Sequence, residues 1–369
     1  MSPFTITQID PTQRCGNGCR HCGDGSNMHG EELSPEDVHL LLTSNGFQLS
    51  PLHLAGSFFP KGINLVGGGD PTWHSDFPGF LRAMAEHASH IHVLTGGINP
   101  ELDLDRLERV LREIDDDHDC AVGFGVTAHP FGYLAGDGRV RESLLTLANL
   151  PLIHLRLNVL GIPPVTGITR TVQSRFPYLT LEEAHQSELF EWLDRKFILL
   201  RGGDSINWTR RTSECTNQLL EINPVSRILR RTGRAIDLPE ILTQDRITDF
   251  DVLLFLDEVR GGILNPMRVT ADGHLTACFT SKFQDPRSYE GDLRGHSVNE
   301  IVHNRLLLVS HFRSEGQAWL DSRCEIESGS ICDTVCKRAR EAFVSDPRRI
   351  PSHRGSGETV LPVRQRLGR

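Results

Sequence analysis

A chain of 369 residues, 38% hydrophobic and 24% charged, has the composition of a soluble globular protein and the length for one large domain or two modest ones. Its formal net charge of −9 argues against nucleic acid as an obligate partner, because phosphate recognition needs a basic surface. No apolar run approaches the roughly 20 residues of a membrane span, and the opening Met-Ser-Pro-Phe-Thr lacks the basic and apolar regions of a signal peptide. The expectation is a cytoplasmic protein with no membrane partner. In that reducing compartment its nine cysteines read as ligands, catalysts or core residues.

The alternating run Phe4–Ile9 predicts a first strand. It leads into Cys15-Gly-Asn-Gly-Cys19-Arg-His-Cys22, three cysteines at Cys-x3-Cys-x2-Cys spacing in a glycine-rich loop. Thiolates are soft ligands suited to iron–sulfur clusters and zinc, and this spacing lets three sulfurs converge on one small object. Three is one short of the set that fills a four-iron cluster, which leaves one iron open to a non-protein ligand. Structural zinc, the alternative, takes four protein ligands. His21 adjoins Cys22 and is poorly placed to share one tetrahedral ion with it.

Ser34, Pro35 and the acids Glu36 and Asp37 predict a helix start. Gly62–Val66 reads as a short buried strand, and Gly67-Gly68-Gly69-Asp70-Pro71-Thr72 follows at once. Glycines at a strand end let backbone groups approach a ligand closely, although a plain turn has the same look. Strand and helix then alternate: a helix over 77–88, a strand over 90–94 ending at Thr95, a helix over 102–114 and a strand over 121–127. A helix over 141–150, a strand over 153–160 and a helix over 182–193 continue the series. Such alternation predicts parallel strands with helices outside, and chemistry at the strands' C-terminal ends. The sixth strand is expected at Val225–Leu229, with Phe197–Leu200 as the other candidate. Residues 203–223 are then a loop at the mouth, carrying Trp208, Arg210, Arg211 and Cys215, and 248–259 a closing helix. Met267–Cys278 reads as a hairpin turning on Asp272-Gly273, followed by Gly291-Asp-Leu-Arg and a helix from Val298 to about Phe312. Cys278, Cys324, Cys332 and Cys336 fall within this segment, where four thiols in a reducing cell read as metal ligands, zinc included. From 345 the tail carries six arginines among Pro, Gly and Ser and is expected to be disordered.

Cys-x3-Cys-x2-Cys after a first strand resembles the signature of radical S-adenosylmethionine (radical SAM) enzymes. The glycine run about 45 residues later resembles that family's Gly-Gly-Glu-Pro motif, with Asp70 in place of glutamate. The resemblance implies that Cys15, Cys19 and Cys22 hold a 4Fe–4S cluster whose open iron chelates SAM. It assigns Gly67, Gly68, Gly69, Asp70 and Pro71 to the SAM amino group, Thr127 and Asn158 to ribose or carboxylate contacts, and His21 to the position near adenine, usually aromatic. The hairpin, the cysteine after it and the Gly-Asp-Leu-Arg turn resemble the family's Twitch/SPASM module. One auxiliary 4Fe–4S cluster on Cys278, Cys324, Cys332 and Cys336 is implied, although Glu327 stands where a further cysteine is expected.

The fold class so implied is α/β, a partial (β/α)6 TIM-like barrel over 1–262. A small C-terminal α+β cluster-binding module over 263–344 and a basic tail over 345–369 complete it. The implied reaction cleaves SAM to a 5′-deoxyadenosyl radical that abstracts hydrogen from a small polyhydroxylated, amino-sugar or aminocyclitol substrate, giving oxidation or epimerisation. Cys215 is the candidate hydrogen donor for epimerisation, with Cys120 behind it. An electron donor such as flavodoxin or ferredoxin is the implied protein partner. A peptide-modifying maturase and a zinc-stabilised binding module are the competing readings.

Overall fold

The computed structural model describes residues 4–17, 28–43, 47–54, 57–128, 138–161, 191–192, 197–200, 208–212, 219–226, 266–276, 290–322 and 335–352. Twelve strands form one sheet: β1 (Phe4–Ile9), β2 (Phe47–Leu54), β3 (Ser57–Leu65), β4 (His90–Thr95), β5 (Ala121–Ala128), β6 (His154–Gly161), β7 (Phe197–Leu200), β8 (Trp208–Thr212), β9 (Leu219–Ser226), β10 (Pro266–Val269), β11 (His274–Thr276) and β12 (Gly291–Asp292). Helices α1 (Pro35–Thr43), α2 (Phe77–Ala85), α3 (Leu104–Asp117), α4 (Gly138–Ala148), α5 (Val298–Ser322) and α6 (Lys337–Ser345) accompany it. Strands β1, β3, β4, β5, β6 and β9 pair in parallel in that order. The expected series of parallel strands with intervening helices is therefore present. Among the described residues the sheet is open, with β12 and β7 at its edges.

Local chemistry explains the helix starts. Ser34 Oγ accepts from Asp37 N at 3.1 Å while Asp37 Oδ2 accepts from Ser34 N at 3.3 Å, a reciprocal cap for α1. Asp76 caps α2 through Gly79 N, and Asp103 caps α3 through Arg106 N. In α3 the buried Leu107, Val110, Leu111 and Ile114 fall at helical spacing.

The two sides of the parallel strands differ in chemistry. Ile91, Val93, Val122, Phe124, Val126, Leu155 and Leu157 belong to one apolar cluster with the helices, and Phe124 meets Phe77 of α2 edge to face at 6.3 Å. The alternate residues are polar or glycine: His90 and His92 on β4, Gly123 and Gly125 on β5, His154 and Asn158 on β6. They are buried too, and the three imidazoles stack on one another. A Cβ at Gly123 would lie 2.1–2.6 Å from the His154 ring, so only glycine leaves room for it.

β10 runs parallel to β1 on the side away from β4, and β11 and β12 follow it antiparallel. Two ion pairs tie this segment to the first half. Arg268 of β10 donates Nε to Asp10 Oδ2 at 2.7 Å with both side chains buried, and Arg294 reaches Asp37 of α1 at 2.6 Å. The hairpin turn has Gly273 at φ 85°, as its Asp-Gly sequence implies.

Several expectations require correction. The sixth parallel strand is Leu219–Ser226, not Val225–Leu229, and Phe197–Leu200 is an antiparallel edge strand. Glu221 and Asn223 interrupt the apolar pattern by which the strand would have been found. The stretch 203–223 is not all loop, because Trp208–Thr212 pairs antiparallel with both neighbours. Strand β2 had no predicted counterpart. It pairs in parallel with β1 and antiparallel with β3. Helix α5 runs to Ser322, ten residues past the expected end. Of the tail expected to be disordered, residues 346–352 pack back. Asn304 of α5 bonds both the N–H and the C=O of Ile350, and Arg349 lies over the Phe343 ring. The helices expected near 182–193 and 248–259 lie wholly or almost wholly outside the described residues. No described helix is long and apolar enough to cross a membrane.

Two outcomes follow. Arg268→Met removes the countercharge of the buried Asp10 carboxylate and is expected to cost about 3–5 kcal/mol, with Asp10→Asn in the same chain restoring much of it. Urea denaturation checks this, and a loss under about 1 kcal/mol for Arg268→Met would refute it. The second concerns pH. Burial depresses His90 to about 4, His154 to about 3 and His92 well below its ordinary value. The unfolded chain therefore binds more protons below pH about 6.5, and stability is lost as pH falls from there toward 4. Each histidine steepens the fall by about 1.4 kcal/mol per pH unit. Stability measured across this window, against a His90→Gln/His154→Gln chain, is expected to show a shallower slope in the variant.

Candidate functional site

The loops after β1 and β3 stand at the same end of two paired strands, and the glycine run joins them. Gly67 and Gly68 have φ of 89° and 64°, a region that side chains rarely adopt. Gly69 N donates to Gly67 O at 2.7 Å, closing a tight turn. A Cβ on Gly69 would lie 2.3 Å from Arg14 O, so this glycine lets the run press against the backbone just before Cys15. Asp70 N then donates to that same Arg14 carbonyl at 3.0 Å. Beneath the run, Gln8 Nε2 donates to Val66 O at 2.7 Å and to Asp10 Oδ1 at 3.0 Å.

Asp70 is buried and its carboxylate meets five donors. Oδ1 accepts from Thr72 N at 3.0 Å and Thr72 Oγ1 at 2.8 Å. Oδ2 accepts from Asn17 Nδ2 at 2.8 Å, Thr95 Oγ1 at 2.7 Å and Gly96 N at 2.9 Å. The residue thereby caps the short 3-10 turn Pro71–Trp73 and binds the cysteine loop to the loop after β4. Burial pushes its carboxyl above the ordinary range, against the pull of Thr95, Gly96 and Thr72. Pro71, expected beside the ligand, is buried as the first residue of that turn.

Cys15 is half-buried and its Sγ accepts from Asn17 N at 3.5 Å. Gly16 sits against Trp73, where a Cβ would meet the indole at 2.3 Å. The Trp73 indole N–H is buried and has no partner among the described residues, an unused donor beside the cysteine loop. Thr127 and Asn158 are opposite each other in the β5–β6 register, and Asn158 is buried against Gly125 on the polar side of the sheet. The structure thus brings Cys15, the glycine run and Asp70 together, with Thr127 and Asn158 at the same ends of later strands. Cys120 precedes β5 at the opposite end, buried in the apolar cluster with its thiol pushed up to about 12 by burial and by Asp119. Cys336 stands just before α6, half-buried against the apolar cluster of α5 and α6. His21, Cys19, Cys22, Cys215, Cys278, Cys324 and Cys332 lie outside the described residues.

Sequence reasoning missed Asn17 and Trp73, whose roles arise from partners more than 50 residues apart in sequence. It also missed the histidine group, for which the alternation His90-Ile91-His92 on a strand was an available signal.

No protein-family model matches the chain, and no curated protein matches it. Among solved structures the chain is similar to BtrN, crystallised in complex with AdoMet and 2-DOIA, with a TM-score of 0.37 and 12% sequence identity over 89% of this chain and 95% of that one. A likeness of that degree establishes neither fold nor function.

The loop junction predicts a specific response at Asp70. Asp70→Ala leaves buried donors on three loops unpaired and is expected to cost about 3–5 kcal/mol. Asp70→Glu keeps the carboxylate but pushes an extra methylene into a filled space, at about 1–3 kcal/mol. Urea midpoints for the two variants check this, and a glutamate variant as stable as wild type would show that the carboxylate is not held as described.

Proposed function

We propose that this protein is a radical SAM enzyme acting on a small polyhydroxylated or amino-sugar substrate, with a C-terminal Twitch/SPASM-like module. The observation that supports it most is the junction of Cys15's loop and the Gly67–Pro71 run, neighbours at the same strand ends, through Asp70, Asn17 and Arg14. A zinc scaffold has no need of a glycine run closed against its ligand loop.

The residues fit the implied groups. Cys15, Cys19 and Cys22 hold the 4Fe–4S cluster, and the N–H of Asn17 already donates to the Cys15 sulfur. The unused Trp73 N–H offers a second donor beside that loop. Glycines 67–69 expose backbone groups for the amino group of SAM, Thr127 and Asn158 supply polar contacts from β5 and β6, and His21 stands for the adenine-side residue. When bound, the cluster and SAM supply a 5′-deoxyadenosyl radical that takes a hydrogen atom from the substrate.

Asp70 acts here as a positioning residue, since its five donors come from the protein itself. The polar side of β4–β6, with Thr127, Asn158 and Arg156 toward the cysteine end, presents donors and acceptors that suit hydroxyl and amino groups of a substrate. Cys278, Cys324, Cys332 and Cys336 hold the auxiliary cluster. Cys215 then separates two outcomes. Donation of its thiol hydrogen to the substrate radical gives epimerisation. An auxiliary cluster held by Cys278, Cys324, Cys332 and Cys336 would supply the electron acceptor that oxidation of the substrate needs.

Iron and sulfide content after anaerobic reconstitution tests the reading. Wild type is expected to carry about eight irons per chain, falling to about four in Cys15/Cys19/Cys22→Ala, with loss of SAM cleavage. Zinc without iron would overturn the proposal. A Cys215→Ala chain that keeps full turnover would leave oxidation as the reaction.

A further inference from the structure

The polar side of the sheet carries a second constellation, at the end opposite Cys15. His90 and His92 project from the start of β4 and His154 from the start of β6. One ring nitrogen from each lies within 4.8 Å of the other two, and all three residues are buried. His92 Nδ1 and His154 Nε2 share a hydrogen bond at 3.1 Å, which an ion bound to both would replace. That separation is close to the edge of about 3.3 Å expected between two imidazole nitrogens on one tetrahedral ion with bonds of about 2.0–2.1 Å.

We propose that His90, His92 and His154 form a three-histidine site for a divalent metal ion, zinc by its ligand preference. This site is separate from the cysteine loop and does not depend on the radical SAM reading.

Two observations carry it. His90 is fully buried, its ring meets only the Ala121 backbone among the described residues, and the other ring nitrogen has no hydrogen-bond partner there. A buried polar atom left without a partner is costly, and a metal bond to it removes that cost. Secondly, the intervening strand makes way. β5 offers Gly123 between His92 and His154 in the register, where any Cβ would strike the His154 ring.

The rings are also fixed from outside. Phe59 stacks on His90 with centroids 4.1 Å apart. Three nitrogens leave one tetrahedral position open. Arg156, two residues beyond His154, adds positive charge near His92 and His154, so an anion such as hydroxide suits the fourth position. Neutral nitrogen donors and no thiolate fit zinc better than calcium or magnesium, which take oxygen ligands. An ion here clamps β4 to β6 across a strand that contributes no side chain.

The test uses the full chain, reconstituted anaerobically with iron and sulfide, equilibrated with zinc and desalted. Zinc content and zinc-edge X-ray absorption are then measured. The expected result is one zinc per chain whose shell is nitrogen or oxygen at about 2.0–2.1 Å, without sulfur at about 2.3 Å. His90→Gln is expected to weaken zinc binding by about 100-fold or more. His39→Ala/His87→Ala, which removes a more exposed imidazole pair beside Glu86, is expected to leave it unchanged. Should His90→Gln fail to fold, the wild-type shell and the fall of its melting temperature on chelation still decide the matter. Zinc absent from the wild type, a shell of sulfur alone, or full retention by His90→Gln would overturn the proposal.

Discussion

The carboxylate of Asp70 is the constraint on which the site depends. A buried charge is tolerated only where donors surround it, and here five do, drawn from its own turn, from the cysteine loop and from the loop after β4. Three loops that belong to different strands thus share one acceptor. Glycine makes the convergence possible, since Gly67 and Gly68 turn the chain through φ values closed to most side chains and Gly69 leaves no Cβ between two backbones. Aspartate's short arm returns to its own turn through Thr72, so its work is done inside the protein.

The same economy of space governs the sheet. Its helix-covered side is mostly apolar, while the other side carries imidazole, amide, guanidinium and glycine among few apolar groups. An apolar filling on both sides would give a solid core with nothing to bind. Polar side chains buried on one side require partners, and those without protein partners point to a ligand. The cysteine end and the histidine end are separated along the strands, so each has its own chemistry.

The C-terminal segment is joined to the first half by more than a linker. β10 extends the sheet beside β1, and Arg268 inserts its guanidinium against Asp10 below the glycine run. A buried ion pair is poor stabilisation in itself but severe when broken. It therefore fixes the register of β10 against the strand that delivers the cysteines. Arg294 on Asp37 adds a second, more exposed fastening.

Much of this was legible in one dimension. The spacing of Cys15, Cys19 and Cys22, the glycine run and the alternation of strand and helix are local signals, written in adjacent residues, and they sufficed for an α/β fold with a large parallel sheet and for placing the two loops at the same strand ends. Helix starts at Ser34 and the Asp-Gly turn were legible for the same reason. The sixth strand was misplaced because its polar residues, Glu221 and Asn223, do not read as strand when the far side of the sheet is assumed apolar. β2 was missed because its place is set by pairing with β1 and β3. Tertiary structure alone decided that Asn17 bonds Asp70, that Trp73 lies on Gly16, and that His90, His92 and His154 share a pocket. Those contacts join residues dozens of positions apart, and strand register, which no local pattern encodes, brings them together.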